Sequence, residues 1–304
     1  MSRQLWKAHL ALFAVAVIYG GNYIIAKDVM DKGYVLPLAF ILLRVVSATL
    51  LFWLFHLIYV RERIRNRADW IRLALCGLFG VALNQMFFFS GLKLTFPINA
   101  SLIMTTTPVL VLVVSALLIG ERITSRKVLG IALGAGGAIL LIAYGREMRF
   151  GGPSLKGDLL VFLNASCYGI YLVLVKPLMK KYNAITVVKW VFTFGLLGVI
   201  PFGLPQLTAS DWGAFPTYIY FSIAYVLVFT TFFAYLFNAY ALRAVNPSVV
   251  SIYIYLQPLL AAALSLMLGM EKLTPNKWVA AILIFVGVYL VSWKKQSPKR
   301  VTSN

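Results

Sequence analysis

Ten apolar runs, each about twenty residues long and separated by short polar or basic stretches, make up most of the chain. They lie near residues 8–26, 36–58, 70–91, 97–118, 127–144, 157–175, 185–204, 215–237, 247–268 and 275–293. About 20 apolar residues of helix cross the hydrocarbon of a bilayer, so the pattern predicts ten transmembrane helices. Barrel strands would instead alternate over about ten residues, and these runs are continuous. The expected fold class is therefore all-α integral membrane.

The pattern occurs twice. A shift of 150 positions places Pro97 on Pro247, Ser101 on Ser251, Pro108 on Pro258, Glu121 on Glu271, Thr124 on Thr274, Lys127 on Lys277 and Gly137 on Gly287. Shared composition alone would not align Pro, Glu and Thr at one offset. Each copy holds an apolar helix with a proline in its first turn and a second, kinking proline eleven residues on. A Glu-(Arg/Lys)-x-Thr connection and a glycine-bearing helix follow. Earlier in each half, Tyr19-Gly20 with Lys27 returns as Tyr168-Gly169 with Lys176, at an offset of 149. The expected organisation is one repeat over 8–144, a second over 157–293 and a basic cytoplasmic tail over 294–304.

Composition agrees with a bilayer environment: 61% of the 304 residues are hydrophobic, 12% are charged and the mean hydropathy is +0.87. A soluble fold would leave too much of that apolar surface uncovered. The net charge of +19 would suggest nucleic acid in a soluble domain. Here the cations sit in short loops, the positive-inside pattern, and no nucleic-acid partner is expected. With the N-terminus cytoplasmic, eighteen of the 28 Lys and Arg fall on the inner side and eight on the outer, leaving Arg44 and Lys189 within spans. Both termini are then cytoplasmic. Five spans per repeat invert the second repeat relative to the first, the plan of secondary transporters with a midplane site between repeats. Arg3 and Lys7 precede an apolar run too long for a signal peptide, and no small-x-small cleavage site follows, so this run is read as a retained first span. Cys76 and Cys167 form neither a disulfide framework nor metal spacing and read as packing residues.

The residues Leu92 to Leu140 carry Asn99-Ala100-Ser101, Pro108, Gly120-Glu121-Arg122, Thr124 and the glycines from Gly130 to Gly137. The first span adds Tyr19-Gly20-Gly21-Asn22-Tyr23 to Lys27, and the second runs from Pro37 to Arg44. Together they resemble the EamA domain of the drug/metabolite transporter superfamily, present twice. The resemblance implies ten transmembrane helices as two inverted five-helix (EamA) repeats with cytoplasmic termini. It also implies a carrier, often an exporter of amino acids or other small metabolites, with a cavity between helices one, three, four, six, eight and nine. Met270 departs from the pattern where the first copy has Gly120.

Polar side chains within a bilayer are costly and face the protein interior or water. The candidates for substrate binding are Asn22, Tyr23, Arg44, Asn84, Gln85, Ser101, Thr105, Tyr168, Tyr235, Asn238, Tyr255 and Gln257. Ser101, Thr105 and Pro108 share one face of the fourth helix, and Ser251, Tyr255 and Pro258 the matching face of the ninth, so the two faces should meet at the repeat axis. Competing roles are local: Ser and Thr can bond their own helix, and Asn or Gln can join two helices. Snorkelling explains both Arg44 and Lys189, while a sharper reading has Arg44 bind an anionic group. Glu121 and Glu271 read as boundary residues. His9 and His56 are expected at the interface. No Asp or Glu falls mid-span, so residue content does not support a proton carrier, and no phosphate loop, paired-carboxylate cluster or triad occurs. The expectation is a secondary-active exporter in the plasma membrane, not an enzyme, working by alternating access as a monomer or homodimer. Its partners are a small-molecule substrate and membrane lipid, with no cofactor and no metal. The alternative is a lipid-handling membrane protein, a flippase or transferase.

Overall fold

The computed structural model describes residues 3–31, 35–95, 97–143, 154–209, 215–267 and 275–293. They form ten helical rods: α1 (Arg3–Asp31), α2 (Pro37–Tyr59), α3 (Arg67–Leu94), α4 (97–119), α5 (Ser125–Ala143), α6 (Leu155–Lys181), α7 (Ala184–Thr208), α8 (Thr217–Ala244), α9 (247–267) and α10 (Pro275–Ser292). Among the described residues, eight rods are long and apolar enough to cross a membrane. Helices close their own backbone hydrogen bonds, which hydrocarbon demands.

The rod ends follow from local chemistry. The side chain of Asn66 accepts from Ala68 N at 2.9 Å and opens α3, and Asn183 does the same for α7 through Ile185 N at 3.0 Å. Prolines 37, 97, 247 and 275 stand in the first turns of α2, α4, α9 and α10, where a missing N–H costs nothing. Gly120 ends α4 at φ 65° with its cap closed back on Ser115 O, and Glu121 N also reaches Ser115 O at 3.1 Å. Glu121 then pairs with Lys127 at 2.8 Å while Thr124 Oγ1 accepts from Lys127 N, so the connection caps α5 as a boundary. Glu271, Thr274, Met270 and the 294–304 tail lie outside the described residues.

Packing establishes how the halves relate. A Cβ added to Gly130 would lie 2.8 Å from Gly287 O, and one added to Gly137 would lie 2.8 Å from Ala280 O. Numbers fall along α10 as they rise along α5, so the two rods are antiparallel. Gly137 and Gly287, like Gly130 and Ala280, occupy equivalent repeat positions. The axis relating them therefore runs across the helices, in the membrane plane, and the repeats are inverted. The same symmetry governs the other contacts. α2 packs on its equivalent α7, α3 on α6 as α8 on α1, and α4 on α6 as α9 on α1. Near the axis, Tyr255 OH donates to Thr105 O at 2.9 Å, joining two residues 150 apart.

The helical irregularities also come in pairs. α3 widens into a π turn at Leu78–Ala82 and α8 at Val226–Phe233. α4 breaks at Thr105 and Thr106, ahead of Pro108, and α9 tightens to a 3₁₀ turn at Tyr253–Tyr255, ahead of Pro258. Each proline removes one helical N–H and pushes the preceding turn out of register, while π turns in other helices commonly mark functional sites.

Candidate functional site

Three polar zones stack along the molecule, starting at the end that carries the start of α1 and the end of α10. There, Asp69 of α3 accepts from Lys181, and Tyr182 OH donates to Asp69 Oδ2 at 2.7 Å. Burial, and then the bond to this carboxylate, hold the Tyr182 phenol above its usual range. Glu62 Oε2 accepts from Asn183 N at 2.8 Å at the start of α7. Lys189 is buried at 3% exposure, with its ammonium 4.2 Å from the Trp53 ring centroid and 4.8 Å from that of Trp190. Two indole faces and His56 Nδ1, at 3.3 Å, replace water around the charge. An ammonium can only donate and the Glu62 carbonyl, 3.2 Å from Nε2, can only accept, so His56 is neutral and protonated on Nε2. His56 is buried within the protein near the end of α2. Lys176 of α6 donates to Leu242 O and Val245 O, capping the last carbonyls of α8.

At the opposite end, Asp158 in the first turn of α6 accepts from Thr95 of α3, from Asn99 of α4 at 3.4 Å and from Ser154 at 3.3 Å. Deeper, Asn84 Nδ2 donates to Asn164 O at 3.3 Å and Asn164 Nδ2 donates to Asn84 O at 2.7 Å, a reciprocal clasp between α3 and α6. These bonds tie α3, α4 and α6 together on this side.

The middle zone holds Arg44 and a group of tyrosines. Arg44 turns inward: its Nε donates to Thr231 Oγ1 at 3.0 Å and its guanidinium carbon lies 5.7 Å from the Phe89 ring centroid. Thr231 belongs to the α8 π turn and itself donates to Val226 O at 3.0 Å, so the widened turn presents the hydroxyl to Arg44. Tyr19 of α1 and Tyr235 of α8 lie within the field of the guanidinium. Tyr171 stands between Tyr168 and Tyr235, with ring centroids 6.2 and 6.4 Å away.

Beside this zone a cleft lies between α1 of the first repeat and α6, α8 and α9 of the second. It holds about 250 Å³ of empty space, including its mouth. Its polar lining is Tyr19, Tyr168, Asn238, Tyr253 and Gln257. His9 Nδ1 lies 2.8 Å from Tyr253 OH beside it.

The sequence-derived candidates divide. Tyr168, Asn238 and Gln257 line the cleft, and Arg44 and Tyr235 form the adjoining zone, where Tyr235 OH also donates to Gly80 O at 3.1 Å. Asn84 is held in the clasp. Thr105 Oγ1 donates to Leu102 O at 2.6 Å, its own helix, and Tyr255 is fully buried at the axis. Gln85 is 4% exposed and neither of its amide atoms has a partner. The side chains of Asn22, Tyr23 and Ser101 lie outside the described residues. Sequence reasoning passed over Asp158, and it used Tyr19 only to mark the repeat. A polar residue in the first turn of a span, four residues after a serine, was the available signal for Asp158.

The EamA-like transporter family model matches residues 6–143 and 155–293. An uncharacterised transporter of Archaeoglobus fulgidus is 28% identical over 289 residues, covering 95% of this chain and 98% of its own length. A WAT1-related protein of Arabidopsis thaliana is 26% identical over 327 residues, covering 96% of this chain and 88% of its own. A solved crystal structure superposes with a TM-score of 0.77 at 20% identity, covering 95% of this chain and 98% of that one, which shows the shared fold. Two family matches that together span nearly the whole chain, on two inverted five-helix halves, place this membrane protein in the EamA-like transporter family.

Proposed function

We propose that the protein is a secondary carrier that exports small amphipathic metabolites, amino acids among them, by alternating access across the plasma membrane, with both termini in the cytoplasm. The observation that carries this reading is the polar-lined cleft between the repeats, set against the Asp158 bonds and the Asn84–Asn164 clasp that join helices nearer the opposite end. A substrate entering it meets amides and phenols, which bond polar groups and cover apolar ones. Inverted repeats supply the second state: exchanging the conformations of the halves opens the far end. Export follows from loading at the cytoplasmic mouth, and the positive-inside count puts that mouth in the cytoplasm.

The test is efflux from reconstituted vesicles against a metabolite panel, with lipid scrambling measured in parallel. Gln257→Ala removes an amide from the cleft wall and leaves no buried partner behind, so transport of the identified substrate should fall by roughly twofold to tenfold. Thermal stability should stay within about 0.5 kcal/mol of wild type. Unchanged efflux would remove Gln257 from the path. Lipid scrambling without metabolite flux would favour the lipid-handling alternative.

A further inference from the structure

We infer that Arg44 is the specificity element of the transport chamber and that the substrate it selects is a monoanion carrying a carboxylate on an apolar body. This deepens the carrier reading and rests on it. The guanidinium bonds α8 through Thr231 and lies over Phe89 of α3, deep within the helix bundle. Only Nε is bonded, to Thr231; among the described residues neither Nη group has a protein acceptor, and no carboxylate forms an ion pair with Arg44. A cation at this depth without a counter-ion is expensive. A structure that fixes Nε and leaves both Nη groups open presents a planar fork, and a carboxylate is its geometric complement.

The surroundings define the rest of the ligand. Tyr19 both borders Arg44 and lines the cleft, so an anion drawn in through the cleft reaches the fork past that ring. Gln85 stands one helical turn before Phe89, whose ring lies beneath the guanidinium, and its unpartnered amide can donate to the same carboxylate. Phe89 and the rings of Tyr168, Tyr171 and Tyr235 supply apolar walls. Lys189 is engaged by His56 and two indoles, which leaves one fork and hence one negative charge to match. A second charge on the ligand would go uncompensated.

Equilibrium binding to detergent-solubilised full-length protein provides the test, with phenylacetate and hexanoate each compared with its neutral amide, and sodium chloride at equal ionic strength as the inorganic control. The acids should bind about tenfold to a hundredfold more tightly than their amides and raise the Tm. Arg44→Gln should abolish this preference while leaving the weak binding of the amides, and Arg44→Lys should restore only part of it. Should Arg44→Gln not fold, Thr231→Val, which frees the fork, and Gln85→Leu should each reduce the preference severalfold. Gln85→Leu should also raise the Tm, because it removes an unsatisfied buried amide. No acid preference in wild type, a preference that survives Arg44→Gln or both substitute variants, or chloride binding equal to that of the acids would overturn the proposal. Intact acid binding without vesicle efflux would leave Arg44 as an anion site and defeat the carrier reading alone.

Discussion

At the scale of single residues, polar groups that look alike in the sequence part company according to what lies opposite them. Asn84 and Gln85 are neighbours, yet one closes a clasp with Asn164 and the other is buried without a partner. Their types announce a polar interior, but the side each faces depends on the π turn just before them, which shifts the register of the helix face. Asn84→Ala should lower stability by about 0.6 to 1.7 kcal/mol, the range for interhelical hydrogen bonds in membranes, and the double variant with Asn164→Ala should cost less than the sum of the two. Thermal unfolding in detergent measures both, and additive losses would show that the clasp contributes nothing. Arg44 and Lys189 were legible as costly cations, and Arg44 as a candidate anion site, but their protein partners were not. The indoles and the hydroxyl that hold them come from rods up to 187 positions away.

At the scale of the element, the repeat made most of the architecture readable. Pro, Glu, Thr and Gly at one offset mark rod starts, breaks and the close pair α5 and α10, and the expected span limits mostly fall near the observed rod ends, with the C-terminal limits of α6 and α8 the largest misses at 175 against Lys181 and 237 against Ala244. The paired π turns were invisible, because no punctuating residue is common to both: in α8 Thr230 and Thr231 both bond Val226 O, while the α3 turn at Leu78–Ala82 carries no hydroxyl. Glycine roles can be separated by substitution. A Cβ at Gly287 would lie 2.5 Å from Gly130 O, whereas one at Gly136 meets nothing within 4 Å. Gly287→Val should therefore cost about 1 to 3 kcal/mol through backbone displacement, and Gly136→Ala should be neutral or mildly stabilising. Equal melting temperatures for the two variants would contradict the close pair.

For the whole molecule, topology is the property that sequence supports by charge count and structure supports by symmetry, since ten rods place both chain ends on one side. A cysteine at Arg65 in a Cys76→Ala, Cys167→Ala background should react with an impermeant maleimide only after cells are opened, as the positive-inside pattern requires. Reaction on intact cells would reverse the assigned orientation. The symmetry itself is incomplete where it matters most. The positions corresponding to Asn164 and Asn84 in the other half hold Val15 and Ala234, and Val15 lines the cleft. Were the halves identical, the two resting forms of such a carrier would be equal in energy, because exchanging the halves converts one into the other. A clasp present on one side only lifts that degeneracy, and at the magnitude given above it would weight the populations of the proposed carrier roughly threefold to twentyfold toward the form that holds it. Two asparagines would then set which of its two forms the empty protein prefers.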